Sequence, residues 1–540
     1  MREYVIIARL TSTQASAPLR QRPGKNFGIP EQNATYDYIV IGGGTGGLAV
    51  AYRLAEDGTK TVAAVEAGGY YKIENGNTSV VPAYNQNYNY ITPDSRWDAP
   101  LVNWGFLTTP QAGAQNQVFH YSRGKMLGGC SAEDAMNYNR PTVGGLQAWT
   151  DAVNDTSYAW DEFLPYYESS IDYSNPSMCI RAFNSTVPYI DSANQSGNPL
   201  EVSFPNFATP LSSRAQLAFH ELGVVDVHDL ISGKLIDSQY SPLTLNPKDQ
   251  SRSSSQTSFL NTAFEGSVYT HTLGQKILFD DNKTTYRVSV QIGPAAAPSY
   301  ILTGSKEVIV SAGAFQLPQL LIVSGVGPAE ILQNHNIPIV ADRPCVGQNM
   351  WDHVVLSIGH QVSIESYGRL MNYTIAAKAK LEYAINQAGI LTNDQSDYLE
   401  VEYDISSAPF GTPPFSTPEH PIGVGCFQPV LLTPLSRGNV TISSASMTDP
   451  PIISLNCYSH YILSVASPNT TSVQSVNSSH MRTVHASRQM AVVDYKARVI
   501  GVNSLRVVDA SAFPFLPPGH PQATVFALAE KIATDILAGR

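Results

Sequence analysis

The most regular hydrophobic pattern in the chain lies between Tyr36 and Glu66. An apolar, β-branched run at Ile39–Ile41 leads into a glycine cluster, then Leu48–Leu54 with helical composition, then a second apolar run at Val62–Val65. Short apolar runs bounded by turn signals read as strands buried on both faces, as in a parallel sheet. The spacing therefore predicts a strand–turn–helix–strand unit. Further along, Trp149–Tyr167 carries Trp160, Phe163, Tyr166 and Tyr167 at helical spacing and predicts one amphipathic helix. Val308–Val310 predicts a short strand, Pro514–Pro518 a loop, and Ala523–Leu537, rich in helix formers, a helix. No internal repeat is present, and the only biased stretch is Ser464–Ser479, rich in Ser, Thr, Val and Asn.

The glycines after the first run have a chemical use. Gly42, Gly44 and Gly47 satisfy the GxGxxG spacing, and Glu66 follows the second run, 24 residues after Gly42. Gly42 permits a tight turn, Gly44 lets the backbone approach a pyrophosphate, and Gly47 allows close contact of helix and strand. The helix N-terminus offers unpaired N–H groups to phosphate, and Glu66 can accept from ribose hydroxyls. A plain βαβ unit with a glycine turn is the competing reading. Strand, turn, helix, second strand and acidic residue in order favour the dinucleotide.

Composition narrows the partners. The 540 residues are 43% hydrophobic and 14% charged, enough for one large unit or two joined domains. A net charge of −11 argues against nucleic acid, which needs a basic face. No apolar run approaches the ~20 residues that span a bilayer, so no membrane span is expected. Cys130, Cys179, Cys345, Cys426 and Cys457 are scattered without a CxxC pair, so neither a metal site nor a dense disulfide framework is expected; a bridge from Cys179 or Cys426 to Cys457 is left open. Residues 1–35 form an N-terminal segment that holds at most a degraded signal at Met1–Leu10. Asn-x-Ser/Thr sequons begin at Asn33, Asn77, Asn154, Asn184, Asn194, Asn282, Asn372, Asn439, Asn469 and Asn477, which point towards a glycoprotein that is secreted or endomembrane.

Three further segments carry a resemblance. Arg123–Thr142 contains Leu-Gly-Gly-Cys-Ser-Ala-Glu-Asp-Ala-Met-Asn, Ser311–Gly327 opens Ser-Ala-Gly-Ala-Phe-Gln-Leu-Pro, and Leu505–Lys531 contains Pro-Pro-Gly-His-Pro-Gln-Ala-Thr. With the glycine turn, they resemble the signatures of the glucose–methanol–choline (GMC) oxidoreductase family, from about Tyr36 to the end. Val346–His353 and Arg252–Leu260 look most like a fungal branch that includes aryl-alcohol oxidase, patulin synthase and versicolorin B synthase. The resemblance implies an α/β, Rossmann-like FAD-binding domain, discontinuous over 36–145, 255–350 and 485–540. A sheet-and-helix (α+β) substrate domain would occupy 146–254 and 351–484. It also implies FAD contacts at Gly42, Gly44, Thr45, Gly46, Gly47, Glu66 and Ala67, at Met126, Gly129, Asp134, Ala135, Met136 and Asn137, at Val268, and at Ala510, Pro521 and Gln522.

What the resemblance implies chemically is oxidation of a primary alcohol, aromatic or polyketide-derived among the candidates, with oxygen or a quinone-type acceptor taking the electrons. That reaction needs loss of the hydroxyl proton and hydride transfer to flavin N5. A histidine poised near neutral pH suits the first task, and a second donor can hold the alcohol oxygen. His520, directly before the last predicted helix, aligns with one active-site position. His485 aligns with the other, with His480 as its competitor. Three departures from the family pattern stand out: the loop after His485 is short, the stretch from Cys457 to His485 is short, and the first signature has Cys130 for a small hydroxyl residue and Asp134 for the usual Asn. A carboxylate beside the flavin disfavours its anionic reduced form unless it is protonated or turned away. The alternatives are a non-redox, FAD-containing cyclase or dehydratase, and an inactive or mis-assembled family member.

Overall fold

In the computed structural model the described residues are 27–82, 84, 99–177, 181, 187, 190, 197–206, 208, 210–261, 266–293, 297–356, 358–362, 394–396, 401–406, 423–431, 436–456, 473–481 and 491–540. His485, Cys179, Cys457 and the N-terminal 26 residues lie outside them.

The strand–turn–helix–strand unit forms as the pattern predicts. β1 (Ala34–Ile41) leads into α1 (Thr45–Ala55), which returns to β2 (Val62–Val65) parallel to β1. Ile39, Val40, Ala63 and Ala64 have no solvent exposure, which is why both runs are continuously apolar. The turn depends on glycine. Gly42 has φ of +104°, and a Cβ on Gly47 would lie 1.9 Å from the Gly42 carbonyl oxygen. Any side chain there would lift α1 off the strand.

The first sheet continues with β3 (Ser267–Tyr269), β4 (Thr272–Phe279), β5 (Thr285–Ile292), β6 (Ser299–Val310) and β7 (Leu505–Val507). Its order is β3-β2-β1-β6-β5-β4, with β7 pairing β6. The strands β3, β2, β1, β6 and β7 are mutually parallel, while β4 and β5 form an antiparallel extension. The apolar Val308–Val310 is therefore the C-terminal tip of a 12-residue strand, whose earlier half, half-buried and partly polar, hid it from the pattern.

Trp149–Tyr167 does not form one helix. α2 (Val143–Val153) ends where Asn154 turns left-handed at φ +54°, and α3 (Trp160–Ser170) starts afresh. The ring of Trp149 lies on Tyr158 and against Phe513, with centroids 5.2 and 5.0 Å apart, so the break folds the aromatic stripe into one cluster. After α4 (Gly313–Val323) the last helix is α5 (Gln522–Leu537), buried except at Thr534 and Leu537. It packs between α1 and α3. Arg53 ties α1 to it through Glu530, Nε to Oε2 at 2.6 Å, and donates from Nη2 to the Ser169 carbonyl of α3. Burial pushes the Glu530 carboxyl up to about 7 despite that arginine. Residues 146–170, expected with the substrate domain, thus pack on the helical layer of the first sheet.

A second sheet of nine strands is antiparallel throughout. Its path runs Ile452–Ser454, Gly438–Thr441, Gln348–Leu356, Gly423–Leu431, Val401–Ser406, Asp394–Ser396, Ser238–Tyr240. Ile358–Val362 pairs with Gly423–Leu431, and Val473–Met481, which contains His480, pairs with Gln348–Leu356. Cys426 in this sheet is a free thiol, as are Cys130 and Cys345, so Cys426 forms no bridge to Cys457.

Two glycine substitutions separate close approach from ordinary helix propensity. Gly47→Ala should lower the apparent melting temperature, since overpacking against rigid backbone typically costs about 1–3 kcal/mol. Gly144→Ala, where an added Cβ meets nothing within 4 Å in the first turn of α2, should leave it unchanged or raise it slightly. Thermal unfolding followed by tryptophan fluorescence checks the ranking.

Candidate active site

The carboxyl ends of β1, β2 and β6 open into one elongated cavity, at the place in a parallel sheet where ligands bind. Four sequence segments from separate parts of the chain supply most of its wall, and His353, Val430 and Met447 close it from the second-sheet side.

The first segment is the glycine turn. Gly42, Gly44, Thr45, Gly46, Glu66 and Ala67 line the cavity, and the N-terminus of α1 faces it. Glu66 is buried and does not reach out as a bare carboxylate. Its Oε2 accepts from Gly43 N–H at 2.8 Å and its Oε1 from Gly68 N–H at 2.9 Å. Burial still pushes it up to about 7 against those donors. Each oxygen keeps acceptor capacity, so a ribose contact is an addition to a carboxylate already locked in place. Gly47 is absent from the lining because its task is the helix–strand contact. Met126, fully buried, and Val268, paired with Ala64 inside the sheet, do not line the cavity either.

The second segment brings Gly129, Cys130, Glu133, Asp134, Ala135, Met136 and Asn137 to the wall. Asp134 is not an isolated charge. Its Oδ1 accepts from Arg252 Nη1 at 2.8 Å and from Met136 N–H at 3.0 Å, and its Oδ2 from Gln522 Nε2 at 2.5 Å. Burial raises its pKa while Arg252 opposes the shift. Glu133 is held differently: Asn103 Nδ2 is 3.4 Å away, and burial pushes the carboxyl up to about 8 despite Arg123 and Arg252. Burial also pushes the Cys130 thiol up to about 11, which keeps it protonated. Arg123, itself buried, lies over the Tyr121 and Phe315 rings at 4.4 and 4.9 Å.

The third and fourth segments meet through Asp509. Its Oδ2 accepts from Gly313 N–H, and its Oδ1 from Ser511 N–H, both at 2.8 Å, which sets Ala510 on the wall beside the start of α4. His520 and Pro521 line the cavity at the head of α5, with Gln522 in its first turn. The His520 backbone N–H donates to Asn139 Oδ1 at 2.7 Å, and its Nε2 lies 3.4 Å from Asn137 Nδ2. The structure thus brings His520 together with Asp134, Asn137 and Gln522. The position of His485 is outside the described residues.

Glu133, Arg123 and His353 on the wall, with Arg252 and Asn103 behind it, are residues that the motifs did not single out. Arg252 lay in plain view as the one basic residue of a serine-rich phrase, but nothing in its neighbourhood names a partner 118 positions away.

The wall fits FAD. Asn137 Oδ1 and Gln522 Oε1 are buried acceptors, and Gln316 Nε2 a buried donor, with no hydrogen-bond partner in the protein, and all three residues line the cavity. A heterocycle with donors and acceptors on its edge satisfies such groups; an apolar ligand does not. Among the described residues no group of three or more His, Cys, Asp or Glu could hold a metal ion, and no helix is long and apolar enough to cross a membrane.

Comparison with known proteins agrees with this geometry. The family model described as GMC oxidoreductase matches residues 36–355 with its N-terminal part and 470–529 with its C-terminal part. Patulin synthase of Aspergillus clavatus is 41% identical, over 96% of this chain and 94% of its own. Versicolorin B synthase of Emericella nidulans is 36% identical, over 95% and 90%. An FAD-dependent oxidoreductase from Chaetomium thermophilum shares the fold with a TM-score of 0.79 at 24% identity, over 93% of this chain and 99% of its own. A fungal aryl-alcohol oxidase does so with a TM-score of 0.75 at 20% identity, over 93% and 99%. With the glycine turn, the signature segments and the cavity they build, these matches lead to one conclusion: the chain belongs to the GMC oxidoreductase family of FAD-dependent enzymes.

Proposed function

We propose that this chain oxidises a primary alcohol, aromatic or polyketide-derived, in fungal secondary metabolism. The observation that carries the reading is the placement of His520 on the cavity wall, its backbone held by Asn139 and its Nε2 beside Asn137. When bound, FAD supplies the acceptor for the hydride leaving the alcohol carbon. A fixed imidazole can take the hydroxyl proton or hold the alcohol oxygen while its charge develops. Asn137 orients the ring, and His485 is the proposed partner in the other role. Trp104 and Phe315 bring aromatic side chains to the same wall, which suits an aromatic substrate. The proposed electron acceptor is oxygen or a quinone. The proposed division is an FAD domain of 36–145, 255–350 and 485–540 with a substrate domain between its pieces. Exposed sequon asparagines Asn33, Asn77, Asn154 and Asn282 support a glycosylated, secreted or endomembrane protein.

Glu133 favours a second reading. A carboxyl pushed up to about 8 is largely protonated at neutral pH and can serve as an acid on the cavity wall without any change in the flavin. A non-redox cyclase or dehydratase would use it with His520 while FAD stays oxidised. Absorption spectra of the yellow protein with a panel of alcohols decide between the readings. Bleaching of the visible bands marks redox turnover, and product formation with the bands intact marks the cyclase.

Glu66→Ala should weaken FAD retention more than Glu56→Ala. Glu66 organises Gly43 and Gly68 on the cavity wall, whereas Glu56 is exposed at the end of α1. A lost charge-assisted hydrogen bond is worth about 1.5–3 kcal/mol, or roughly 10- to 100-fold in affinity. Dialysis followed by the flavin-to-protein absorbance ratio measures it, and equal occupancy would remove Glu66 from the site.

His520→Ala should keep its FAD and lose about 10²–10⁴-fold in the rate of flavin reduction by substrate. His485→Ala should do likewise, and the double variant should lose far less than the product of the two single losses, because both act on one hydroxyl. His480→Ala is the control and should reduce at the wild-type rate. Stopped-flow reduction traces test all four; a normal His485→Ala with a crippled His480→Ala would move the partner role five residues upstream.

A further inference from the structure

Asp134 and Arg252 form a partly buried charge pair whose partners are 118 residues apart, and its placement gives it a role towards the flavin. Arg252 is sealed, with no side-chain exposure, while Asp134 keeps 29% and lines the cavity. The guanidinium is pinned on three sides: Nε donates to the Ser79 carbonyl at 2.8 Å, and Nη1 to the Ser131 carbonyl at 3.3 Å and to Asp134 at 2.8 Å. Its Nη2 is buried with no hydrogen-bond partner in the protein. A cation held so tightly cannot follow Asp134 outward, so the carboxylate is fixed instead. The second oxygen of Asp134 takes the Gln522 amide at 2.5 Å, and that amide then leaves its own carbonyl oxygen unpartnered on the cavity wall. The chain of contacts therefore runs from a sealed arginine, through a carboxylate, to an amide in the first turn of α5 beside His520.

We infer that Arg252 is a positioning residue of the FAD site: it balances the Asp134 charge on the cavity wall and, through Asp134, fixes the Gln522 amide at the head of α5. The inference rests on the FAD reading of the cavity. It resolves the conflict that a carboxylate near the flavin creates, because a reduced flavin is an anion and an unbalanced carboxylate would oppose its formation. Balanced by Arg252, Asp134 serves as a rigid acceptor with little net field.

The test is the two-electron midpoint potential of bound FAD at pH 8, read by equilibration with a reference dye during slow reduction. Asp134→Asn keeps the shape but leaves Arg252 unbalanced. It should favour reduction by about tenfold or more, on the order of 30 mV upward for two electrons. Arg252→Gln leaves the carboxylate unbalanced and should shift the equilibrium by a similar factor the other way. The double variant Arg252→Gln with Asp134→Asn restores neutrality and should return within about threefold of wild type. If Arg252→Gln does not fold, Asp134→Asn alone decides. A yellow wild type whose Asp134→Asn midpoint stays within about threefold overturns the inference and leaves the FAD reading standing. A double variant that tracks either single one overturns it too. Wild type purified and reconstituted without any bound FAD overturns the FAD reading, and the inference with it.

Discussion

The parallel pairing of β1 with β6 is the constraint on which the molecule depends. Ala34 lies opposite Leu302 and Ile41 opposite Val310, so residues 268 positions apart must meet before the first rung forms. Loop-closure entropy grows only logarithmically, about 0.6 kcal/mol for each doubling of length, so the long excursion costs little more than a short one. The return is large. Ile39, Val40 and Val308–Val310 lose all exposure together, and β7 from the far end of the chain adds to the free edge of β6. Once these strands are side by side, their carboxyl ends bring the glycine turn, the Ser311 segment and the Asp509 segment to one crevice. The cavity is a consequence of strand order, not of any local attraction among the signature residues.

How much of this was legible depends on whether the cause was local. The β1–α1–β2 unit and α5 were legible, because an apolar period and a glycine turn are written in consecutive residues. The break at Asn154 was not. Aromatic residues continue at helical spacing on both sides of it, and only the stacking of Trp149 on Tyr158 and Phe513 shows why the chain bends. The second sheet was legible only as a sheet-and-helix remainder, since its strands come from 238–240 and 348–481 and carry no common pattern. At the site, the backbone of His520 is where its motif suggests, on the cavity wall. The assignment of Val268 and Met126 to cofactor contact carried over from family position and does not match the cavity lining. The Asp134 departure was visible as a problem, and its solution, Arg252, was visible only in three dimensions.

Four acids around the cavity, three buried and one half-buried, show how differently one fold can hold a carboxyl. Glu66 and Asp509 take backbone N–H donors on both oxygens. Asp134 takes an arginine, a backbone N–H and an amide. Glu133 has one long contact from Asn103 and is pushed up to about 8. Fixed dipoles and a guanidinium support the charged form, while a poorly solvated carboxyl turns to its neutral form. The cavity therefore offers carboxyls supported by fixed donors beside one that burial turns towards its neutral form.

The scattering of the site along the chain also sets a schedule for its synthesis. Gly42 and Gln522 face the same cavity yet are 480 codons apart. At roughly 5–20 residues per second, a ribosome needs about half a minute to a minute and a half to pass from one to the other. For the first 268 of those 480 residues β1 and β2 exist without β6 to cover their apolar edge, and over the rest the crevice still lacks its head at α5. The cavity wall is complete only once the head of α5 has been translated, so the full set of residues facing the cofactor is present only when nearly the whole chain has been made.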